Sequence, residues 1–135
     1  MHGAPVSFAD FQAAPGTRTP AQILAHMGDL FDWALSMARG QEKWHDSAPL
    51  AWEAEQHRFF ASLKAFDDYL AKDPEEVPRQ RLFQGPVADA LTHTGQISML
   101  RRMAGFPVKG ENYSRASIEV GHVGADQAKP AREFE

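Results

Sequence analysis

The 135-residue chain contains no cysteine. That excludes a disulfide framework, a thiolate-ligated zinc site and a cysteine nucleophile, and leaves nitrogen and oxygen as the ligands it can offer a metal ion. Basic clusters are equally scarce: 18 Asp and Glu stand against 14 Lys and Arg, a formal net charge of −4, and the longest basic run is Arg101-Arg102. Neutralising a phosphate backbone takes a basic footprint, so no nucleic-acid partner is expected. Long apolar runs are missing too. Nothing approaches the roughly 20 residues that span a bilayer, and the N-terminus has no basic region followed by an apolar one. These absences predict a soluble cytoplasmic protein with no membrane partner. With 43% hydrophobic and 24% charged residues, the composition suits one globular domain with a real core.

Three segments carry helical periodicity between Gly and Pro punctuation. The first is expected from Thr19-Pro20, a cap followed by a proline at the first helical position, to Gly40. Ile23, Met27, Leu30, Phe31, Ala34 and Met37 form its buried stripe, with Asp29 and Asp32 outside it. The second spans about Pro49 to Lys72, with Trp52, Phe59, Phe60, Leu63, Phe66 and Leu70 inside, and ends at Asp73-Pro74. The third runs from near Pro74 to Gly105, kinked around Gly85-Pro86, with Leu82, Phe83, Ile97, Leu100 and Met103 on its apolar side. Val6, Phe8 and Phe11 allow one or two turns in the stub before Arg18. A loop at Gly40 to Ser47 would turn the chain back, giving an all-α, antiparallel helical bundle in a single domain over 1–135, with its core at about 19–105. Residues 106–135 read as an irregular tail anchored by Phe106, Val108, Tyr113, Ile118 and Val120, with a weak strand signal at Ser117 to Val120.

Asp89 and His93 stand four residues apart, a spacing that stacks two side chains on one helix face. Stepping by three and four from His93 leads to Pro86, Ala90, Gln96, Ile97, Leu100 and Ala104, so the pair faces inward. His26 lies on the strip of Leu30, Trp33 and Met37, from which it can meet that face across a helix interface. Two imidazoles and one carboxylate suit zinc, nickel or iron and leave coordination positions open. Such a set acidifies a bound water or thiol into a nucleophile. The alternative is a hydrogen-bonded ion pair at Asp89 and His93 with a core histidine at 26. Gln56 and Gln96 are candidates to support the ligands or to bond backbone carbonyls. Trp33 is a candidate pocket wall or core anchor. His2, His45, His57 and His122 read as ordinary surface residues.

The text from Thr19-Pro20 through His26 to Leu30, and the stretch Asp89-Ala-Leu-Thr-His93-Thr-Gly-Gln96, resemble the DinB-like family of damage-inducible, metal-binding four-helix-bundle proteins over about Pro20 to Gly105. The resemblance implies that His26, Asp89 and His93 hold a divalent metal, often zinc or nickel. It also implies thiol-dependent transfer or isomerisation with mycothiol, bacillithiol or glutathione. Two departures stand out. Asp89 occupies the position of a family histidine, making the site harder and more anionic. Only the stub up to Arg18 is left for the family's first helix, so the bundle is short or incomplete there. A homodimer is expected to cover the resulting apolar face. Two functions follow. One is a metal-dependent transferase or hydrolase acting on a small electrophile, with or without a low-molecular-weight thiol. The other is a non-catalytic ligand-binding or interaction module.

Overall fold

The computed structural model describes residues 3–134; His2 lies outside them. It is helical, with no β-strand among the described residues and one isolated bridge between Glu111 and Glu133. A 3-10 turn, Val6–Asp10, precedes α1 (Pro20–Ala38) and α2 (Trp52–Leu70). The third rod is α3 (Arg79–Leu82), a π-turn at Phe83–Val87 and α4 (Ala88–Met103). No described helix is long and apolar enough to cross a membrane.

The start of α1 follows from local chemistry. Thr19 accepts the N–H of Gln22 at 3.2 Å, the Gln22 side chain accepts the Thr19 N–H at 2.9 Å, and Pro20 takes the first helical position. This reciprocal cap stabilises the helix start by about 0.5–2 kcal/mol. Thirteen of the 19 residues of α1 are buried, because the helix is covered on two flanks. α2 packs on one of them, and α4 with its π-turn packs on the other. Phe8, fully buried in the 3-10 turn, packs edge-on against Trp52 and closes the N-terminal end of the core.

The direction of α2 is the main departure from expectation. Arg58 reaches the Ala25 carbonyl and Asp29, Phe31 touches Phe59 and Phe66, and Arg39 lies over Tyr69. Numbers rise together, so α1 and α2 run parallel, not antiparallel. α4 is the antiparallel neighbour: Gly85 abuts Trp33, whereas His93 meets His26. The segment 39–51 is therefore a crossover that travels back along α1, a connection that helical bundles accommodate. Gln41 bonds Ser36, Trp44 packs on Trp33 and His26, and Ser47 bonds Asp29.

Polar side chains hold that crossover. Asp29, expected outside the buried stripe, is only 2% exposed. It accepts the Ser47 N–H at 2.8 Å and the Arg58 guanidinium at 2.8 Å. Arg58 also donates to Glu55 at 2.8 Å and to the Ala25 carbonyl at 2.6 Å. The fully buried Glu55 accepts the Leu50 N–H at 2.8 Å with its other oxygen. Burial raises the Asp29 pKa, but the Ser47 backbone bond and Arg58 outweigh it and hold the carboxyl below its ordinary 3.8.

The third rod begins at Arg79 instead of Pro74, and the expected kink at Gly85-Pro86 takes the form of the π-turn. Pro86 has no N–H for the helical ladder, and the widened turn absorbs the break. It also changes the helical phase. Leu82, Ile97 and Leu100 are buried as expected, while Phe83 and Met103 face outward at 66% and 54% exposure. The tail departs further: Phe106, Val108, Tyr113, Ile118 and Val120 are all exposed, and Ser117 to Val120 form no strand. Too few apolar residues recur at a regular period there to bury one another.

Replacing Arg58 with Met strands two buried carboxylates, so Arg58→Met is expected to lower the unfolding free energy by about 3–5 kcal/mol in a urea titration at neutral pH. The depressed Asp29 pKa contributes stability that is full above 3.8 and is lost as pH falls through the lower folded value. Wild-type stability is therefore expected to decline on acidification below 3.8, and Asp29→Asn, less stable at neutral pH, to decline less steeply.

Candidate metal centre

α1 and α4 bring His26, Asp89 and His93 together. His26 Nε2 lies 3.5 Å from Asp89 Oδ2, and His93 Nε2 lies 3.4 Å from Asp89 Oδ1. The imidazoles meet edge to face, with centroids 4.9 Å apart and planes at 89°. One ligand atom from each residue falls within 4.8 Å of the others, the spacing of a group able to hold a metal ion. The His93 side chain is 10% exposed, that of His26 22% and that of Asp89 46%, so the imidazoles sit toward the core and the carboxylate toward solvent.

Gln96 orients one ligand. Its Oε1 stands 2.7 Å from His93 Nδ1, and since an amide oxygen can only accept, this contact is a hydrogen bond in the Nδ1–H tautomer. The remaining nitrogen, Nε2, is the one aimed at Asp89. A partner on the far ring nitrogen fixes tautomer and ring orientation in metal-binding histidines. Gln56 takes no part: it lies on α2 and donates to the Trp52 carbonyl at 3.4 Å.

Trp33 lies one helical turn beyond Leu30, and its indole donates to Glu42 at 3.3 Å. Beside it, Trp44 packs edge-on against both Trp33 and His26, with 5.7 Å between centroids in each pair. These rings, with Leu30, Glu42 and Asp89, line a groove of about 400 Å³ that opens directly onto His26. A second, polar cavity of about 500 Å³ reaches the other side of His26 between Arg18, Gln22 and Ser47. The site is thus reachable by a small molecule.

Sequence reasoning missed a second cluster. His45, expected to be an ordinary surface residue, places Nδ1 3.2 Å from Asp29 and Nε2 3.5 Å from Asp32. The three can be grouped as potential ligands. Yet the imidazole points its two nitrogens at different carboxylates, and the Asp29 oxygen it faces already holds Arg58. This cluster reads as a polar latch on the crossover. The available signal was Asp29 and Asp32, three apart on α1, facing a loop histidine. His57 is exposed, and His122 bonds within the tail.

Comparison of the chain with models of protein families, with curated proteins and with solved structures finds no match. The site is therefore read from its own geometry.

With Gln96 accepting from Nδ1, neutral His93 is expected in the Nδ1–H tautomer. Long-range proton–nitrogen NMR correlations of the ring check this, and Gln96→Leu is expected to release the preference and weaken divalent-metal affinity about 10–100-fold.

Proposed function

We propose that this chain is a divalent-metal protein of DinB-like type, with His26, Asp89 and His93 as ligands for zinc or nickel, or for iron with the same donors. Its activity would be that of a metal-dependent transferase or hydrolase, with or without a thiol, acting on a small electrophile. The observation that carries the reading is the paired separation of 3.4 and 3.5 Å between the imidazole nitrogens and the Asp89 oxygens. Donors about 2.0–2.2 Å from a tetrahedral ion stand roughly 3.3–3.6 Å apart; each imidazole nitrogen meets that spacing with one of the two Asp89 oxygens, and one donor atom from each residue lies within 4.8 Å of the others. When bound, the ion supplies Lewis acidity that turns a water or thiol into a nucleophile near neutral pH.

The chain's own residues supply the rest. Gln96 holds the His93 ring so that Nε2 points inward. Half-exposed Asp89 closes the set from the solvent side and contributes the negative charge that favours a hard cation. Three donors leave room for an exogenous ligand, and the groove beside His26 gives it access. Leu91, Met99 and Met103 are 64%, 58% and 54% exposed on one ridge of α4, and a homodimer is the proposed means of covering them.

Elemental analysis of protein reconstituted with zinc or nickel is expected to give one ion per chain. His93→Ala is expected to lose that ion while the helical circular-dichroism signal is kept. Wild-type protein that retains no ion after reconstitution overturns the reading.

A further inference from the structure

The groove beside His26 has a chemical character of its own. Two of its walls are the indoles of Trp33 and Trp44, set at 88° to one another, and a third is Leu30. The only charged side chains among its six lining residues are Glu42 and Asp89, apart from any proton on His26. Glu42 is already engaged: one oxygen accepts the Trp33 indole N–H at 3.3 Å, and Arg81 spans both oxygens at 3.1 Å. Asp89 faces the two imidazoles. No Lys or Arg lines the groove to receive an anion; the Glu42 charge is met by Arg81, and that of Asp89 is turned toward the two imidazoles. What is left facing outward is π surface, including a Trp44 side that is 40% exposed.

These walls are also held firm. The Glu42 carboxylate ties the crossover to Trp33 and to α3, and Ser36 pins the same stretch through the Lys43 backbone at 3.0 Å. A right-angled corner of two fixed aromatic rings favours a flat guest, which stacks on one ring while its edge meets the other.

We propose that the Trp33–Trp44 corner is a binding subsite for the flat, uncharged aromatic portion of a small ligand, held against His26 and Asp89. In its functional consequence, that this ligand is the substrate, the inference rests on the metal-centre reading above. The subsite itself does not need the ion, so the two can fail separately.

A charge series of similar size tests it: benzyl alcohol, benzoate and benzyltrimethylammonium, each titrated into metal-free and zinc-loaded protein. The indole N–H resonances of the three tryptophans are followed by proton–nitrogen NMR. Trp52, 3% exposed and packed on Phe8, is the internal control. Benzyl alcohol is expected to shift the Trp33 and Trp44 signals, leave Trp52 unmoved, and bind more tightly than either charged probe. Trp44→Ala is expected to weaken it about tenfold, and Trp44→Phe to restore most of the loss. His93→Ala is expected to retain benzyl alcohol binding while losing zinc, which separates the subsite from the metal centre. Tighter binding of the ammonium or of benzoate, equal shifts at all three indoles, or no shift at any of them overturns the proposal.

Discussion

One guanidinium sets the geometry on which the rest depends. Arg58 joins α2 to the Ala25 carbonyl and Asp29 of α1, and through Asp29 and Ser47 it reaches the crossover. Buried charges contribute little net stability, because desolvation offsets their attraction, but mismatching them is expensive. Shifting α2 along α1, or reversing it, would leave Asp29, Glu55 and Arg58 without partners in the interior. The close approach also explains a glycine within a helix. A Cβ on Gly28 would sit 3.0 Å from the Arg58 guanidinium carbon, so the guanidinium would have to give by a few tenths of an ångström and loosen the short bonds it makes. Glycine keeps that approach open at a conformational cost of about 1 kcal/mol in mid-helix.

The parallel arrangement is what delivers the crossover to the site. Because α2 starts beside the start of α1, residues 39–51 must return along α1, and that route passes over the face carrying Trp33, Asp32, Asp29 and His26. The polar latch and the pocket wall are therefore neighbours on one strap. His45 and Ser47 fasten it to Asp29, while Glu42 and Trp44, a few residues earlier, shape the groove. A tight antiparallel turn between α1 and α2 would have left His26 without this cover.

Much of this was legible where the pattern is local. The cap at Thr19, the Asp89/His93 spacing and the break at Gly85-Pro86 depend on residues within a turn or two of one another, and each took form. His26 was placed by its position flanking an apolar stripe, which periodicity also reports. What escaped reading is non-local. A loop's length does not fix the direction of the next helix when side chains 11 to 29 residues apart decide it, as Asp29, Ser47 and Arg58 do. Glu55 offered a clue, being three residues from Trp52 and four from Phe59, a charged residue in an apolar slot. The π-turn was readable as a kink but not as a change of phase, so Phe83 and Met103 were assigned to the wrong side.

The electrostatics of the triad give it a direction. In the tautomer that lets Gln96 accept from Nδ1, the His93 Nε2 lone pair faces an Asp89 oxygen at 3.4 Å. Two acceptors at that distance repel unless something positive lies between them. His26 Nε2 stands 3.5 Å from the other oxygen of the same carboxylate. A proton or a cation would relieve that repulsion, and the two would compete, because a ligand nitrogen has to be unprotonated to coordinate. On the solvent side of the two imidazoles, the Asp89 carboxylate offers a negative charge that a neutral ring would not, and this is the feature that suits the group to a divalent ion.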